Sequence, residues 1–178
     1  TMAGGDVLFV EAATVLARQG GLASQVVPDG LYGGANSMAL RQRLFDAFVL
    51  TRFLGFENSG GVWFPGIHRS QKFTIYAARR GGKTVSFQAA FNIRSEEQLS
   101  DVLAGACLTI PVDIVREFSP DALAVMEFGS QRDIDIASKM YARWPKFGHE
   151  SAGPPHRHYM REMDMGNDRE FFSEDPSG

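Results

Sequence analysis

Cysteine is almost missing from this 178-residue chain. Cys107 stands alone, which excludes an internal disulfide framework and fits a reducing cytoplasm. One cysteine with four histidines also argues against a structural zinc site, and His149, His156 and His158 on a proline-rich stretch read as solvent-facing. No run reaches the roughly 20 apolar residues that span a bilayer, so no membrane partner is expected. The first apolar stretch, "DVLFVEAATVLARQ", is broken by Glu11 and followed by no small-residue cleavage site, so it does not read as a signal peptide. Acidic residues are missing from Asn58 to Ser95, although the whole chain carries a formal charge of -3. Also absent are the G-x-G-x-x-G, P-loop, H-E-x-x-H and G-x-S-x-G patterns. The glycine doublets suit turns and not a phosphate cradle, and Cys107 has no base beside it in sequence. No catalytic residue and no metal ligand can be located from the residues alone.

What is present is enough for a core: 44% apolar residues and fourteen Phe. Leu8, Ala12, Val15 and Leu16 follow helical spacing, with Gly20-Gly21 as a stop. "LASQVV" reads as a buried strand ended by a Pro28-Asp29-Gly30 turn. Asn36 or Ser37 can cap a helix whose stripe is Leu40, Leu44, Phe45 and Phe48, and "LTRFLGF" is a further strand. "KFTIYAA" and "VSFQAAF" read as two strands of a hairpin turned by Arg79-Arg80-Gly81-Gly82. The order strand, helix, strand, hairpin predicts a parallel crossover with antiparallel strands added at the edge. Beyond it, Ser95 with Gln98 has capping-box spacing, "CLTIPVDIVREFSPDALAVMEF" reads as irregular or strand-like, and Ser130 with Asp133 opens another helix. The acid-free span carries Arg69, Lys72, Arg79, Arg80, Lys83 and Arg94, a positive face suited to phosphate. The same charges also suit a solvated hairpin with no ligand.

Four stretches, in order, resemble the adenine-N6 DNA methyltransferases of the large restriction-modification and phage-defence (type IIG-like) family. "GGLASQVVPDGLYGGANSMALRQRLFD" is similar to the segment after that family's catalytic loop. "FENSGGVWFPGIHRSQKFTIY" is similar to its Phe-Glu-Asn, Phe-Pro, His-Arg-Ser and Lys-Phe signature. "FSPDALAVMEFGSQRDIDIASKMYARWP" and "YMREMDMGNDREFF" resemble its linker toward the target-recognition region. The implied fold class is α/β: part of a Rossmann-like methyltransferase sheet, its late strands and antiparallel hairpin, followed by a mostly helical or irregular segment. The implied division is 1–92, the later half of the methyltransferase-like domain, and 93–178, the linker and start of the recognition region.

The departures bear on mechanism. Neither the glycine-rich S-adenosylmethionine loop nor the Asn/Asp-Pro-Pro-aromatic loop is present, and Pro154-Pro155 lies between Gly153 and His156. The expectation is therefore a fragment that holds no cofactor and cannot methylate DNA unaided, S-adenosylmethionine belonging to the full-length parent. The resemblance implies Phe73 and Phe64 at the target-base pocket and His68, Arg69, Lys72, Arg79 and Arg80 toward double-stranded DNA. Its implied partners are duplex DNA, the missing N-terminal methyltransferase half, other defence-system subunits or a second copy. Two alternatives stand beside it: a non-catalytic DNA- or subunit-binding scaffold of the same fold, and a stand-alone nucleic-acid-binding protein.

Overall fold

In the computed structural model the chain divides into two compact units, 1–142 and 143–178. The described residues are 5–144, so the account below concerns the first unit, and "YMREMDMGNDREFF" lies outside it.

Short apolar runs between glycine and proline turns become five strands: β1 (Leu22–Pro28), β2 (Phe48–Glu57), β3 (Lys72–Arg80), β4 (Ser86–Ile93) and β5 (Leu108–Pro111). Six helices accompany them: α1 (Gly5–Leu16), α2 (Gly30–Gly33), α3 (Met38–Ala47), α4 (Glu96–Leu103), α5 (Val112–Phe118) and α6 (Gln131–Arg143). The strands form one mixed sheet in the order β1-β3-β2-β4-β5. β3 is antiparallel to both β1 and β2, β4 is parallel to β2, and β5 is antiparallel to β4. The α/β class is as expected, with β1 and β2 running in one direction through the α3 crossover and β3 inserted between them.

The hairpin is not where the glycines placed it. β3 and β4, adjacent in sequence, both flank β2 and never pair, so Arg79-Arg80-Gly81-Gly82 is not a hairpin turn. The antiparallel hairpin joins β2 to β3 through the loop 58–71. After β3 the chain must pass the start of β2 before it can become β4. Gly81 (φ 97) donates its amide to Ala47 O, and Gly82 (φ 137) lies where a Cβ would meet Val49 at 2.6 Å. The doublet gives room and left-handed backbone for that passage. Buried Thr84 then stitches the crossing, its hydroxyl accepting from Leu50 N at 2.8 Å and donating to Phe48 O at 2.7 Å.

Alternation along the strands separates two cores. One face holds Ala23, Val27, Phe53, Tyr76, Ala78, Phe87 and Ala89 against α1, α2, α3, α5 and α6. The other holds Leu54, Phe56, Ala90 and Ile93 against Val102 and Leu99 of α4 and against Trp63. Two bulges adjust the register. An extra residue at Thr51 lets Phe48, Leu50 and Phe53 share a face, and another between Ala90 and Ile93 lets that pair share the opposite one.

Other local expectations meet mixed outcomes. Ser95 Oγ accepts from Gln98 N at 3.2 Å, as the capping box requires, and Ser130 Oγ caps Asp133 N at 3.3 Å. Ser37 occupies the start of α3 without a side-chain cap. The region expected to be irregular or strand-like contains the strand β5 and, outside that expectation, the helix α5. In α1 the chosen stripe points the wrong way. Val10 and Thr14 are buried, whereas Leu8, Val15 and Leu16 are exposed, because apolar residues stand all round this helix and the sheet accepts only one side. No helix among the described residues is long and apolar enough to cross a membrane.

Candidate nucleic-acid interface

The carboxyl ends of β1, β2 and β4 lie at the same end of the sheet as the start of β3, because Pro28 pairs with Phe73, and Phe56 with both Phe73 and Ile93. Open α/β sheets bind ligands in the crevice outside those ends. Here the loop 58–71 closes over that end, and its shape is set by Asn58. This side chain is fully buried; its Nδ2 donates to Phe64 O (2.9 Å) and Ile67 O (3.2 Å), and its Oδ1 accepts from the amides of Trp63 (3.2 Å) and Phe64 (2.9 Å). One amide thus satisfies a turn that has no sheet partner.

The clip gathers an aromatic group. Phe73 stacks on Phe56 (centroids 4.9 Å, interplanar 6°), Phe64 meets Phe73 edge-on at 5.0 Å, and Trp63 meets Phe56 at 5.2 Å. Trp63 Nε1 also donates to Ile93 O. Phe73 is half-buried and already engaged by two rings, whereas Phe64 is 41% exposed. The free aromatic surface at this end is therefore that of Phe64. His68 and Arg69 are exposed beside it on the same loop, His68 Nδ1 lying 2.8 Å from Ser70 Oγ.

Lys72 is not a free cation. Its Nζ lies 2.9 and 3.0 Å from the two oxygens of Glu127, which also accept from Tyr32 Oη (2.6 Å) and Asn92 Nδ2 (3.1 Å). Burial alone raises the Glu127 pKa, but these three donors outweigh it and hold the carboxyl below its usual value. The Tyr32 phenol is pushed well above its usual range by burial and by Glu127, so its proton stays in place as a donor. Arg94 is likewise paired, donating twice to Glu57 Oε2 at 2.8 and 2.9 Å. The acid-free span thus finds its acids 37 and 55 residues away in sequence. A cleft of about 440 Å³ opens beside this network, with Phe91, Asn92, Arg94, Gln98, Glu127 and Phe128 among its walls.

Arg79 and Arg80 are elsewhere. Seven residues of strand put them about 23 Å from Lys72. Arg80 Nη1 donates to Val15 O and Ala17 O at the end of α1, and Arg79 Nη1 to Gly20 O. The structure brings Phe64, Phe73, His68, Arg69 and Lys72 together and leaves Arg79, Arg80 and Lys83 at the opposite end of the sheet.

Three residues that organise this end carry no role in the sequence reading: Asn58, which appears there only within the Phe-Glu-Asn signature, Glu127 and Arg41. Arg41, fully buried, donates to Leu31 O (2.7 Å), Gly34 O (2.6 Å) and Ala122 O (2.5 Å). Burial pulls its pKa down to about 10, so it remains charged at neutral pH. The only strand-to-helix turn rich in glycine among the described residues is 29–34, after β1. Its carbonyls at Leu31 and Gly34 are taken by Arg41, and the amides of Tyr32, Gly33 and Gly34 bond back to Asp29 O and Gly30 O. Arg41 and these backbone bonds fix the shape of the turn. No cluster of His, Cys, Asp or Glu suited to a metal occurs among the described residues.

No protein-family model and no curated protein matches the sequence. Solved structures do share the fold. A chain of a type I R-M system aligns at TM-score 0.51 and 17% identity, over 77% of this chain and 36% of its own length. The type IIG restriction endonuclease BpuSI aligns at TM-score 0.51 and 17% identity, over 82% of this chain and 18% of its own. The class defined is a mixed α/β fold with a five-stranded sheet, shared with chains of R-M structures. The chain spans about a third and a fifth of the length of these two neighbours.

Proposed function

We propose that this chain is the DNA-facing, later part of a site-specific DNA adenine-N6 methyltransferase serving restriction-modification or phage defence, with S-adenosylmethionine held by polypeptide joined along the open edge of β1. The observation that carries the reading is the Asn58-clipped loop, which puts an exposed ring and two basic side chains together at the carboxyl end of a methyltransferase-like sheet. A base-modifying enzyme extrudes its target and replaces the lost stacking with aromatic surface. Phe64 offers that surface, and Phe73 backs it. His68 and Arg69 reach toward phosphates and hold the distorted strand in register. The sequence given carries neither the glycine-rich loop nor the Asn/Asp-Pro-Pro-aromatic loop, so no methyl-transfer step is assigned to it.

Duplex DNA should bind weakly and with steep salt dependence, log K falling by about 0.9 per phosphate neutralised for each decade of salt. Fluorescence anisotropy of a labelled duplex should show Arg69→Glu lowering affinity several-fold, with Lys83→Glu, at the far end, nearly silent. Salt-independent binding, or equal losses in both variants, would remove the DNA reading.

A second reading, a non-catalytic subunit-docking scaffold, is favoured by one observation. Leu22 and Val26 on β1, and Leu8, Phe9, Val15 and Leu16 on α1, are all more than half exposed beside a strand that, among the described residues, pairs on one side only. A chain that assembles with a methyltransferase subunit but leaves the salt-dependent DNA affinity of that subunit unchanged would select this alternative.

A further inference from the structure

Three hydrogen-bond donors from three separate elements converge on one carboxylate. Tyr32 comes from the turn after β1, Lys72 from the start of β3 and Asn92 from the bulge of β4, and all reach Glu127 within 3.1 Å. The backbone is shaped for this convergence. Asn92 sits at φ 56, a left-handed conformation that asparagine tolerates better than most residues, and the bulge aims its amide out of the ladder. Gly55 leaves space that a Cβ would take from Tyr32 Oη, at 3.3 Å.

The arrangement does more than an ordinary surface ion pair needs. Lys72 and Glu127 side chains keep 31% and 29% of their exposure, where such pairs contribute little to stability. Nor is Glu127 needed to hold its own segment down. Leu123 and Val125 are buried, Val125 N donates to Tyr32 O, and Arg41 holds Ala122 O. The carboxylate can therefore leave by side-chain rotation into solvent while its backbone stays fixed.

We propose that Tyr32, Lys72 and Asn92 form an oxyanion-binding site for phosphate, and that Glu127 is its built-in occupant, displaced when phosphate enters. A phosphate offers the same acceptor oxygens with equal or greater negative charge, so it meets all three donors. The two anions exclude each other, since both need the single cation, Lys72. Glu127 thus sets a threshold: the site is closed to weak or dilute anions and opens to one presented at high local concentration. The shared chemistry is the phosphate group, whether free or in a nucleic-acid backbone. The site rests on the geometry of these four residues, and only its duplex arm depends on the DNA reading.

The test is titration of the full chain with inorganic phosphate, at constant ionic strength, followed by calorimetry. Glu127→Ala should bind phosphate at least ten-fold more tightly than the parent chain, and Glu127→Ala with Lys72→Met should lose that gain. A folded Glu127→Ala chain with no gain overturns the proposal. Should that variant fail to fold, the parent chain supplies the answer: phosphate, and not chloride, should shift the Asn92 side-chain amide resonances, and their indifference at high phosphate overturns it equally. In parallel, a short duplex of matched ionic strength distinguishes the sources. A gain for phosphate and duplex together identifies the nucleic-acid backbone as ligand. A gain for phosphate alone upholds the site with free phosphate as its ligand and counts against the DNA reading.

Discussion

Arg41 and Glu127 are charges whose partners are fixed by tertiary structure, and they behave differently because their burial differs. Among the described residues Arg41 has no carboxylate against it and its Nε has no partner; carbonyl dipoles at the end of α2 and from Ala122 take the place of an acid. Arg41→Met would fill much of the volume but strand the carbonyls of Leu31 and Ala122, while Gly34 O keeps the amide of Ser37. Urea denaturation should show a loss of about 3 kcal/mol or more, the range for stranding buried polar groups. Glu127 is partly exposed, and its effect is legible in pH. Its folded pKa is depressed, so its contribution is fully present above the unfolded value and is lost as pH falls through the folded one. Glu127→Gln removes a titrating group and should flatten this part of the acid limb. Comparison of urea midpoints from pH 7 to pH 3 should show the two chains converging toward the acid end; a constant gap across that range would count against the depressed carboxyl.

At the scale of elements, the loop 58–71 is held mainly by Asn58, with one backbone bond from Asn58 N to Gln71 O at its base. Asn58→Ala removes four side-chain hydrogen bonds at once but touches no strand pairing. It should cost about 1–3 kcal/mol and, more tellingly, confine the damage. Amide hydrogen exchange should quicken at Trp63, Phe64 and Ile67 while β1, β2 and β3 keep their protection. Faster exchange throughout the sheet would show the loop to be part of the core and not a separately clipped unit. Because Phe64, His68 and Arg69 ride on this loop, the same variant should weaken duplex binding without changing any charge.

For the whole molecule, the decisive feature is the edge at β1. Among the described residues, the seven of this strand pair with β3 on one side only, and apolar side chains of α1 and β1 lie exposed beside it. Strand edges of this length and character recruit other strands. Static light scattering should show a mass that rises with concentration, and Leu22→Lys with Val26→Lys should lower it without unfolding the chain, since both side chains are already exposed. A single mass for the parent chain at millimolar concentration would contradict this.

Much of the fold was legible because short-range signals were strong. Strands stood out as short apolar runs between glycine and proline, and Ser95 and Ser130 marked helix starts through capping spacing that depends on three or four neighbouring residues alone. The candidate site was legible in part: the loop carrying Phe64, His68 and Arg69 stands out in the sequence, while the roles of Asn58 as its clip and of Glu127 as its acid do not. The outward face of α1 was misjudged because a helix apolar on all sides carries no phase until a sheet selects one. The hairpin was misplaced because Gly81-Gly82 permits a reversal and equally permits a passage around β2; only strand order tells them apart. The basic span was determined by sequence as a composition, but its division was not. An extended strand separates its ends by its own length, and long-range packing delivers Glu57 and Glu127 to one end only. Local propensity and the run of charge come from the chain itself; which charges remain free depends on which distant segments the sheet brings together.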